Sequence, residues 1–176
     1  IPPIRVIRVA FLPARRPMIR IGLGYDSHRF AKPGPLVLGG ISIPFDQRLE
    51  GHSDGDAIAH AITDAVLGAA GAGDIGEMFS NLDAANKGRN SIEMLKLAVS
   101  RVKSVGWHVQ QVDVVVVTEQ PKIAEHRDEM QRALAFALQI KPGDISIKGK
   151  SNEKMGWIGR GEGLGCMAIA VITENR

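Results

Sequence analysis

The pattern of apolar and polar positions predicts strands toward both ends of the chain and helices between them. Residues 19–25 alternate as a strand, and a second strand stretch, LVLGGISI at 36–43, follows the turn KPGP. WHVQQVDVVVVTEQ, residues 107–120, predicts the strongest strand, with Val114–Val117 buried on both faces. DISIKGK at 144–150 and GLGCMAIAVITE at 163–174 predict two final strands in succession.

Helical patterns fill the middle of the chain. From Ser53, SDGDAIAHAITDAVLGAAG predicts a helix capped by Ser53 or Asp54 and closed by glycines. Amphipathic spacing predicts further helices over Ser91–Ser104 and Ile123–Leu138, with a short helical turn over Asp74–Phe79. This order of elements predicts an α+β fold, a single mixed β-sheet covered by helices on one face.

Composition limits the class of protein. A chain of 176 residues with 44% apolar residues has the size of one domain with its own core, which excludes a largely disordered protein. No apolar run approaches the roughly 20 residues that span a bilayer, so we expect no membrane partner. The single cysteine, Cys166, cannot form an internal disulfide and indicates a reducing compartment. We expect a cytoplasmic protein, or one of a plastid-type organelle if residues 1–17 belong to a transit sequence.

The positive charge is concentrated at the start of the chain. Residues 1–17 hold four arginines and no acidic residue. Lysine and arginine total 22 against 19 acidic residues, so the rest of the chain has a small acidic excess and we expect no nucleic-acid partner. Because Met18 opens a clean strand, we expect 1–17 to be a leader or a cloning remnant, disordered or loosely ordered, and 18–176 to be a single domain.

Two histidines and an aspartate are the strongest chemical signal. Residues i and i+2 of a strand face the same way, so Asp26 and His28 can converge on one point. Asp56, His60 and Asp64 form one stripe on an otherwise apolar helix. Two imidazoles and a carboxylate are a common zinc ligand set with an open fourth position, and an aspartate four residues away could orient the His60 ring. Hydrogen-bonded structural histidines explain the pattern equally well.

Two further stretches are candidates for binding an anionic ligand. His52 and Ser53 lie where the chain enters a helix, and a helix N-terminus favours an anion, although capping alone would explain Ser53. Near the C-terminus, SNEKMGWIGRGEG places Glu153 and Arg160 among glycines. A carboxylate there suits Mg²⁺ held partly by substrate phosphates, while salt-bridged turns have similar sequences.

Three motifs together resemble one enzyme family. IRIGLGYDSHRF, LEGHSDGDAIAHAITDAVLGAAGAGDIGEMF and NEKMGWIGRGEG occur in this order and spacing in the 2-C-methyl-D-erythritol 2,4-cyclodiphosphate synthases, and the resemblance runs from Met18 to Ile172. It implies an enzyme of the non-mevalonate isoprenoid pathway, a cyclising, CMP-releasing phosphorus–oxygen lyase. Its substrate would be 4-diphosphocytidyl-2-C-methyl-D-erythritol 2-phosphate. It also implies that 18–176 is a single catalytic domain in a homotrimer with active sites between neighbouring subunits.

The resemblance implies roles for individual residues. Asp26, His28 and His60 match the zinc ligands, with one zinc per subunit, and Glu153 matches the carboxylate that binds Mg²⁺ or Mn²⁺ with the substrate phosphates. The expected catalytic residues are Glu153, Ser151 and His52. Besides Asp26 and His28, the expected substrate contacts are His52, Ser53, Asp74, Gly76, Asn81, Pro121, Lys122, Ile123, Ala124, Ser151 and Arg160, with Pro121–Ala124 holding cytosine.

Some positions depart from the family pattern or have a second interpretation. Ser80 and Asn81 stand where the family often has proline and aspartate, and Lys150 stands at a common threonine. Arg160 and Glu162 match positions near a cavity on the threefold axis, where relatives bind isoprenoid diphosphates, or would form an intersubunit ion pair. The alternative functions are another two-metal phosphotransferase or phosphohydrolase, and a non-catalytic trimeric binder of cytidine nucleotides.

Overall fold

A computed structural model describes residues 17–80, 83 and 86–175. The expectations for residues 1–16 and for Asn81 therefore concern parts of the chain outside the described residues. Within the described ranges, no helix combines the length and the apolar character that crossing a membrane requires.

Two sheets contain the strands. The strands are β1 Ile19–Ala31, β2 Leu36–Leu38, β3 Ile41–Ile43, β4 Arg48–Leu49, β5 Trp107–Val117, β6 Ile145–Lys150 and β7 Gly163–Glu174. The larger sheet has five strands in the order β4-β1-β7-β5-β6. Since β7 pairs antiparallel with β1 and β5 while β5 pairs parallel with β6, the predicted mixed sheet is confirmed. The stretch 36–43 forms its own two-stranded hairpin, β2–β3, outside this sheet.

Helices cover one face of the five-stranded sheet. The helices of the described residues are α1 Ala57–Ala70, α2 Ile75–Met78, α3 Ser91–Ser104, α4 Arg127–Leu138 and α5 Gly156–Gly159, with 3-10 turns at Ile123–Glu125 and Pro142–Asp144, and α1, α3 and α4 are the ones that cover this face. The predicted helix over Ile123–Leu138 is thus divided into a 3-10 turn and α4. Helix α1 contacts β1 and β7, α3 contacts β5, and α4 contacts β6, and their apolar sides form one core with the sheet.

Helix α1 begins later than predicted, and its cap is Asp56 rather than Ser53 or Asp54. The Asp56 carboxylate accepts from the Ala59 N–H at 3.1 Å and from the Gly39 N–H at 2.8 Å. The reason for the late start is Gly55, whose φ of +79° turns the chain just before the helix. Ser53 and Asp54 therefore lie outside the helix, where their side chains can reach other groups.

Helix α1 lies directly against strand β1. A Cβ atom at Gly24 would lie 2.0 Å from the Ala61 carbonyl oxygen, and one at Gly22 would lie 2.0 Å from the Ala65 carbonyl oxygen. Glycine in a strand permits such a close approach of another backbone. The distance between α1 and β1 is therefore fixed by backbone contact.

The other face of the sheet is apolar and open. Ile21 and Leu23 of β1 are each 69% exposed, and Ile169 of β7 is 45% exposed. Because side chains alternate along a strand, these residues face away from the helices. Val115 and Val117 are only half-buried, so the prediction that Val114–Val117 are buried on both faces is wrong for these two.

Candidate active site

Asp26, His28 and His60 bring three ligand atoms to one point. Strand β1 carries the first two residues at i and i+2, and α1 brings His60 against them. Asp26 Oδ2 lies 2.8 Å from His28 Nε2 and 2.9 Å from His60 Nδ1, and the two ring nitrogens lie 3.2 Å apart. In the described part of the chain, this is the one group of three or more histidine, cysteine or acidic side chains placed to hold a metal ion.

In each imidazole, the nitrogen that points away from the other two residues of the trio has a partner of its own. His28 Nδ1 lies 2.5 Å from the Glu50 carbonyl oxygen, which can only accept, so Nδ1 carries a proton, and in the neutral ring Nε2 presents a lone pair. His60 Nε2 lies 2.8 Å from Ser91 Oγ and 2.9 Å from Ser53 Oγ. The inner nitrogens, His28 Nε2 and His60 Nδ1, are left to face the Asp26 carboxylate.

These residues fit a cation. Two ring lone pairs beside a carboxylate oxygen repel one another unless a positive charge lies between them. Nitrogens bound to tetrahedral zinc at about 2.0–2.1 Å lie about 3.3 Å from each other. The 3.2 Å between His28 Nε2 and His60 Nδ1 agrees with that spacing. Three protein ligands of this kind are typical of a zinc site that keeps one position open.

The electrostatics of the trio favour positive charge. Burial would raise the pKa of Asp26, but its hydrogen-bonding and charge interactions with His28 and His60 outweigh burial and hold that pKa well below its ordinary value. Burial likewise would lower the pKa of His28, yet the hydrogen bond and the charge of Asp26 raise it above its ordinary value. Both shifts show that the Asp26 carboxylate stabilises a positive charge beside it.

The aspartates on α1 do not orient the His60 ring. Asp56 caps the helix, and Asp64 accepts a hydrogen bond from the Ile75 N–H at 2.8 Å. Burial raises the pKa of both carboxyl groups. The expectation that an aspartate four residues away orients His60 is therefore wrong, because the ring turns toward β1 and these short side chains bind backbone groups instead.

The trio lies on the wall of a cavity of about 260 Å³. The lining residues include His52, Ser53 and Gly76 of the expected substrate contacts, together with Gly51, Ile75, Phe79, Asn86 and Met94. The Asp74 carboxylate caps α2 by accepting the Glu77 N–H at 2.8 Å, so it is engaged in the turn that presents Gly76. The cavity therefore combines the cation site with a mixed polar and apolar wall.

A second pocket, of about 150 Å³, lies beside the ends of β5 and β6. It is lined by Pro121, Lys122, Ile123, Ala124 and Ser151 of the expected contacts, and by Thr118, Arg127, Gly149 and Lys150. Three of these side chains are basic, which suits an anionic ligand. Among the described residues, the two pockets have no lining residue in common.

Glu153 lies in a tightly turned loop after β6. Glu153 and Lys154 have φ angles of +50° and +61°, a left-handed conformation that is costly for residues other than glycine. Glu119 Oε1 accepts hydrogen bonds from the Asn152 and Lys154 N–H groups, both at 3.0 Å, and Ser151 Oγ donates to Glu153 Oε1 at 2.6 Å. Glu119 therefore holds the loop, a role that sequence reasoning missed.

Arg160 and Glu162 pair within one chain. Arg160 Nε lies 2.6 Å from Glu162 Oε1, and this hydrogen bond keeps the pKa of Glu162 below its ordinary value. The two residues thus contact each other within one chain, and an ion pair between subunits stays a prediction. Glu162 also lines a shallow pocket of about 230 Å³ with Ser27, His28, Arg29 and Trp157.

Sequence reasoning also missed Asp54 and Ser91 near the cation site. The sequence pattern predicts for Asp54 only a role as a helix cap, and for Ser91 only the first position of an amphipathic helix. Ser91 contacts His60 across 31 positions of sequence, and Asp54 contacts Ser91 across 37. The one local signal of the contact between Ser91 and His60 is that Ser91 is a polar residue at a helix end. No local pattern indicates His60 as its partner.

Fold and site define an α+β protein with an Asp–His–His group that could hold a metal ion, on the wall of a cavity of about 260 Å³. The chain belongs to the YgbB family, whose model matches residues 19–173. A 2-C-methyl-D-erythritol 2,4-cyclodiphosphate synthase of Gemmatimonas aurantiaca is 58% identical over 155 residues, which cover 88% of this chain and 93% of the relative.

Solved structures show the same fold. The bifunctional IspDF of Campylobacter jejuni matches with a TM-score of 0.87 and 38% identity, covering 93% of this chain and 44% of that chain. IspF of Plasmodium falciparum, solved as a CDP complex, matches with a TM-score of 0.79 and 34% identity, covering 90% of this chain and 97% of that chain.

Proposed function

We propose that this chain catalyses, in the cytoplasm, the ring closure that forms 2-C-methyl-D-erythritol 2,4-cyclodiphosphate in the non-mevalonate isoprenoid pathway. The substrate is 4-diphosphocytidyl-2-C-methyl-D-erythritol 2-phosphate, and the second product is CMP. The observation that carries the proposal is the convergence of Asp26, His28 and His60 on the wall of a cavity, in a member of the YgbB family. The name of the Gemmatimonas relative and the CDP complex of the Plasmodium one support the same chemistry.

The substrate supplies its own nucleophile. An oxygen of the 2-phosphate attacks the β-phosphorus of the cytidine diphosphate arm, and the bond from that phosphorus to the α–β bridging oxygen breaks. CMP leaves with the electron pair. Since like charges oppose the attack of one phosphate on another, the protein mainly positions groups and offsets negative charge. Cys166 is buried and burial raises its pKa, so its thiol is not suited to act as a nucleophile.

The chain's own groups divide the work. Asp26, His28 and His60 would hold zinc, and Glu153 would hold Mg²⁺ or Mn²⁺ together with the substrate phosphates. Bound cations of this kind neutralise charge that develops on phosphoryl oxygens. Ser151 orients the Glu153 carboxylate through the 2.6 Å hydrogen bond and, with His52, completes the proposed catalytic residues.

Substrate recognition is divided between the two pockets. His52, Ser53 and Gly76 of the larger cavity would contact the phosphate and erythritol portions, with Asp74 holding the turn at Gly76. Lys122 and its neighbours in Pro121–Ala124 would hold cytosine in the smaller pocket, largely through backbone groups. Arg160 would contact a phosphate from the adjoining loop.

A neighbouring copy would complete the site. One substrate must contact both pockets, yet within one described chain these have separate linings. The open face of β1 and β7 exposes Ile21, Leu23 and Ile169, and a contiguous apolar face of this kind marks an interface. We therefore propose a homotrimer joined through these faces. The pocket at Trp157 and Glu162 would then face the threefold axis, where an isoprenoid diphosphate could bind.

Product analysis tests this function. The protein is incubated with the cytidyl substrate and Mg²⁺, and products are resolved by phosphorus NMR and nucleotide chromatography. We expect equimolar CMP and cyclic diphosphate. Linear phosphate products would indicate a phosphohydrolase, and bound cytidine nucleotide without turnover would indicate a binding protein. His60→Ala should abolish the cyclic product, while the matched control His108→Ala, at the start of β5 and away from Asp26, with its ring 3.1 Å from the Asn175 side chain, should retain it.

A further inference from the structure

The hydrogen bonds behind His60 have a direction that Asp54 sets. The Asp54 carboxylate accepts from the Ser91 N–H at 3.0 Å and from the Asp56 N–H at 3.3 Å, and its Oδ1 contacts the Ser91 hydroxyl. A carboxylate can only accept, so the Ser91 hydroxyl is the donor in that contact. Since a hydroxyl has one proton, Ser91 Oγ can offer only lone pairs to its other neighbours.

The most important of those neighbours is His60 Nε2, 2.8 Å from Ser91 Oγ. Because the Ser91 proton is directed to Asp54, this second contact requires a proton on Nε2. A neutral ring with its proton on Nε2 has an unprotonated Nδ1, and Nδ1 is the atom that faces Asp26 and His28. Ser91 is fully buried, which keeps water from competing for these bonds.

Ser53 does not impose the same direction. Its Oγ lies 2.9 Å from His60 Nε2 and accepts from the Gly55 N–H at 3.2 Å. With no carboxylate to take its proton, the Ser53 hydroxyl can rotate to suit either tautomer of His60. The orientation therefore depends on the carboxylate–hydroxyl–imidazole series of Asp54, Ser91 and His60.

We propose that Asp54 and Ser91 are positioning residues that preset His60 in the tautomer able to bind zinc through Nδ1. The inference rests on the proposed cation site and deepens it, since neither side chain touches the cation or the substrate. Partners behind a metal-binding histidine fix its tautomer and ring orientation, and their loss typically lowers metal affinity by about 10- to 100-fold.

Zinc affinity, measured on the full chain without substrate, tests the proposal. Competition with a chromophoric chelator should show that Ser91→Ala binds zinc about 10- to 100-fold more weakly than the unsubstituted chain. Ser100→Ala is the matched control on the same helix, because the Ser100 hydroxyl donates to the Lys96 carbonyl oxygen and is exposed. This control should keep full affinity. Unchanged zinc affinity in Ser91→Ala would overturn the proposal.

A second variant separates positioning from a general structural effect. Because Asp54 acts through Ser91, Asp54→Ala, which removes the acceptor, should also weaken zinc binding, and the double variant should be no weaker than Ser91→Ala alone. Independent, additive losses would overturn the proposal. If Ser91→Ala does not fold, Asp54→Ala carries the test, and unchanged affinity there would equally overturn it.

The two proposals fail in different ways. If the unsubstituted chain binds no zinc, both the cation site and the positioning role are wrong. If it binds zinc and Ser91→Ala weakens that binding, the positioning role stands. This holds even if no cyclic diphosphate forms, a result that would contradict the proposed reaction alone.

Discussion

Replacing Gly24 with alanine should push α1 away from β1 and weaken both the fold and the cation site. The new Cβ would lie 2.0 Å from the Ala61 carbonyl oxygen and 2.8 Å from the Ala65 nitrogen, whereas ordinary contact begins at 3.4 Å. Both atoms belong to the helix backbone, so the helix must move by about 1 Å or more to relieve the overlap.

Such overpacking costs about 1–3 kcal/mol, and each kcal/mol lowers the thermal midpoint of a domain of this size by about 2–4 °C. The shift of α1 also moves His60 away from Asp26 and His28. Because metal–ligand distances tolerate only about 0.2 Å, zinc affinity should fall by about tenfold or more. Thermal unfolding followed by circular dichroism measures the first effect, and chelator competition measures the second.

Gly68→Ala is the matched control on the same helix. Gly68 is exposed, and a Cβ there would meet nothing within 4 Å in the described part of the chain. Alanine should therefore stabilise α1 by about 0.5–1 kcal/mol and leave zinc affinity unchanged. If Gly24→Ala kept both the midpoint and the affinity of the unsubstituted chain, the close approach of α1 to β1 could not be what positions His60.

Three further predictions concern the other parts of the site. Glu119→Ala removes the acceptor of the N–H groups that flank Glu153. Half-maximal turnover should therefore need about three- to tenfold more Mg²⁺, while zinc affinity stays unchanged. An unchanged Mg²⁺ requirement would argue against this role. The gain in thermal midpoint on adding zinc should grow between about pH 5 and 8. The raised pKa of His28 stabilises the zinc-free fold below about pH 6.5, and this contribution is lost as the pH rises through the folded pKa, whereas zinc binds only the neutral ring. A gain that shrinks as the pH rises would contradict this assignment. Leu23→Lys places a charge on the proposed interface, so it should lower the assembly mass measured by light scattering. Leu97→Lys, at an exposed position of α3, should not lower that mass. Equal masses for both variants would refute the interface at the open sheet face.

Local patterns predicted most elements of the fold. The bounds of α3 and β7 agree with the predicted stretches, because their periodicity is carried by consecutive residues. The start of α1 depended on a distant contact instead. Asp56 caps the helix while accepting from the Gly39 N–H across 17 positions of sequence, and the residues around either partner give no signal of the other.

The candidate site likewise contains residues that local patterns predict and residues that only distant contacts place there. The spacing of Asp26 and His28 follows from strand geometry, and the polar His60 on a largely apolar helix indicated a partner. The supporting groups carry no such signal. Ser91 meets His60 across 31 positions and Glu119 meets Lys154 across 35, so only the folded chain shows that these side chains hold the site.

The dependence of ring closure on a cation held by Asp26, His28 and His60 is tested most directly by zinc reconstitution. The protein is stripped of metal with a chelator, supplied with saturating Mg²⁺ and the cytidyl substrate, and titrated with zinc while CMP and cyclic diphosphate are measured. Turnover should rise in proportion to zinc, stop at one equivalent per chain, and stay absent in His60→Ala. Full turnover before zinc is added, or in the His60→Ala variant, would contradict the account.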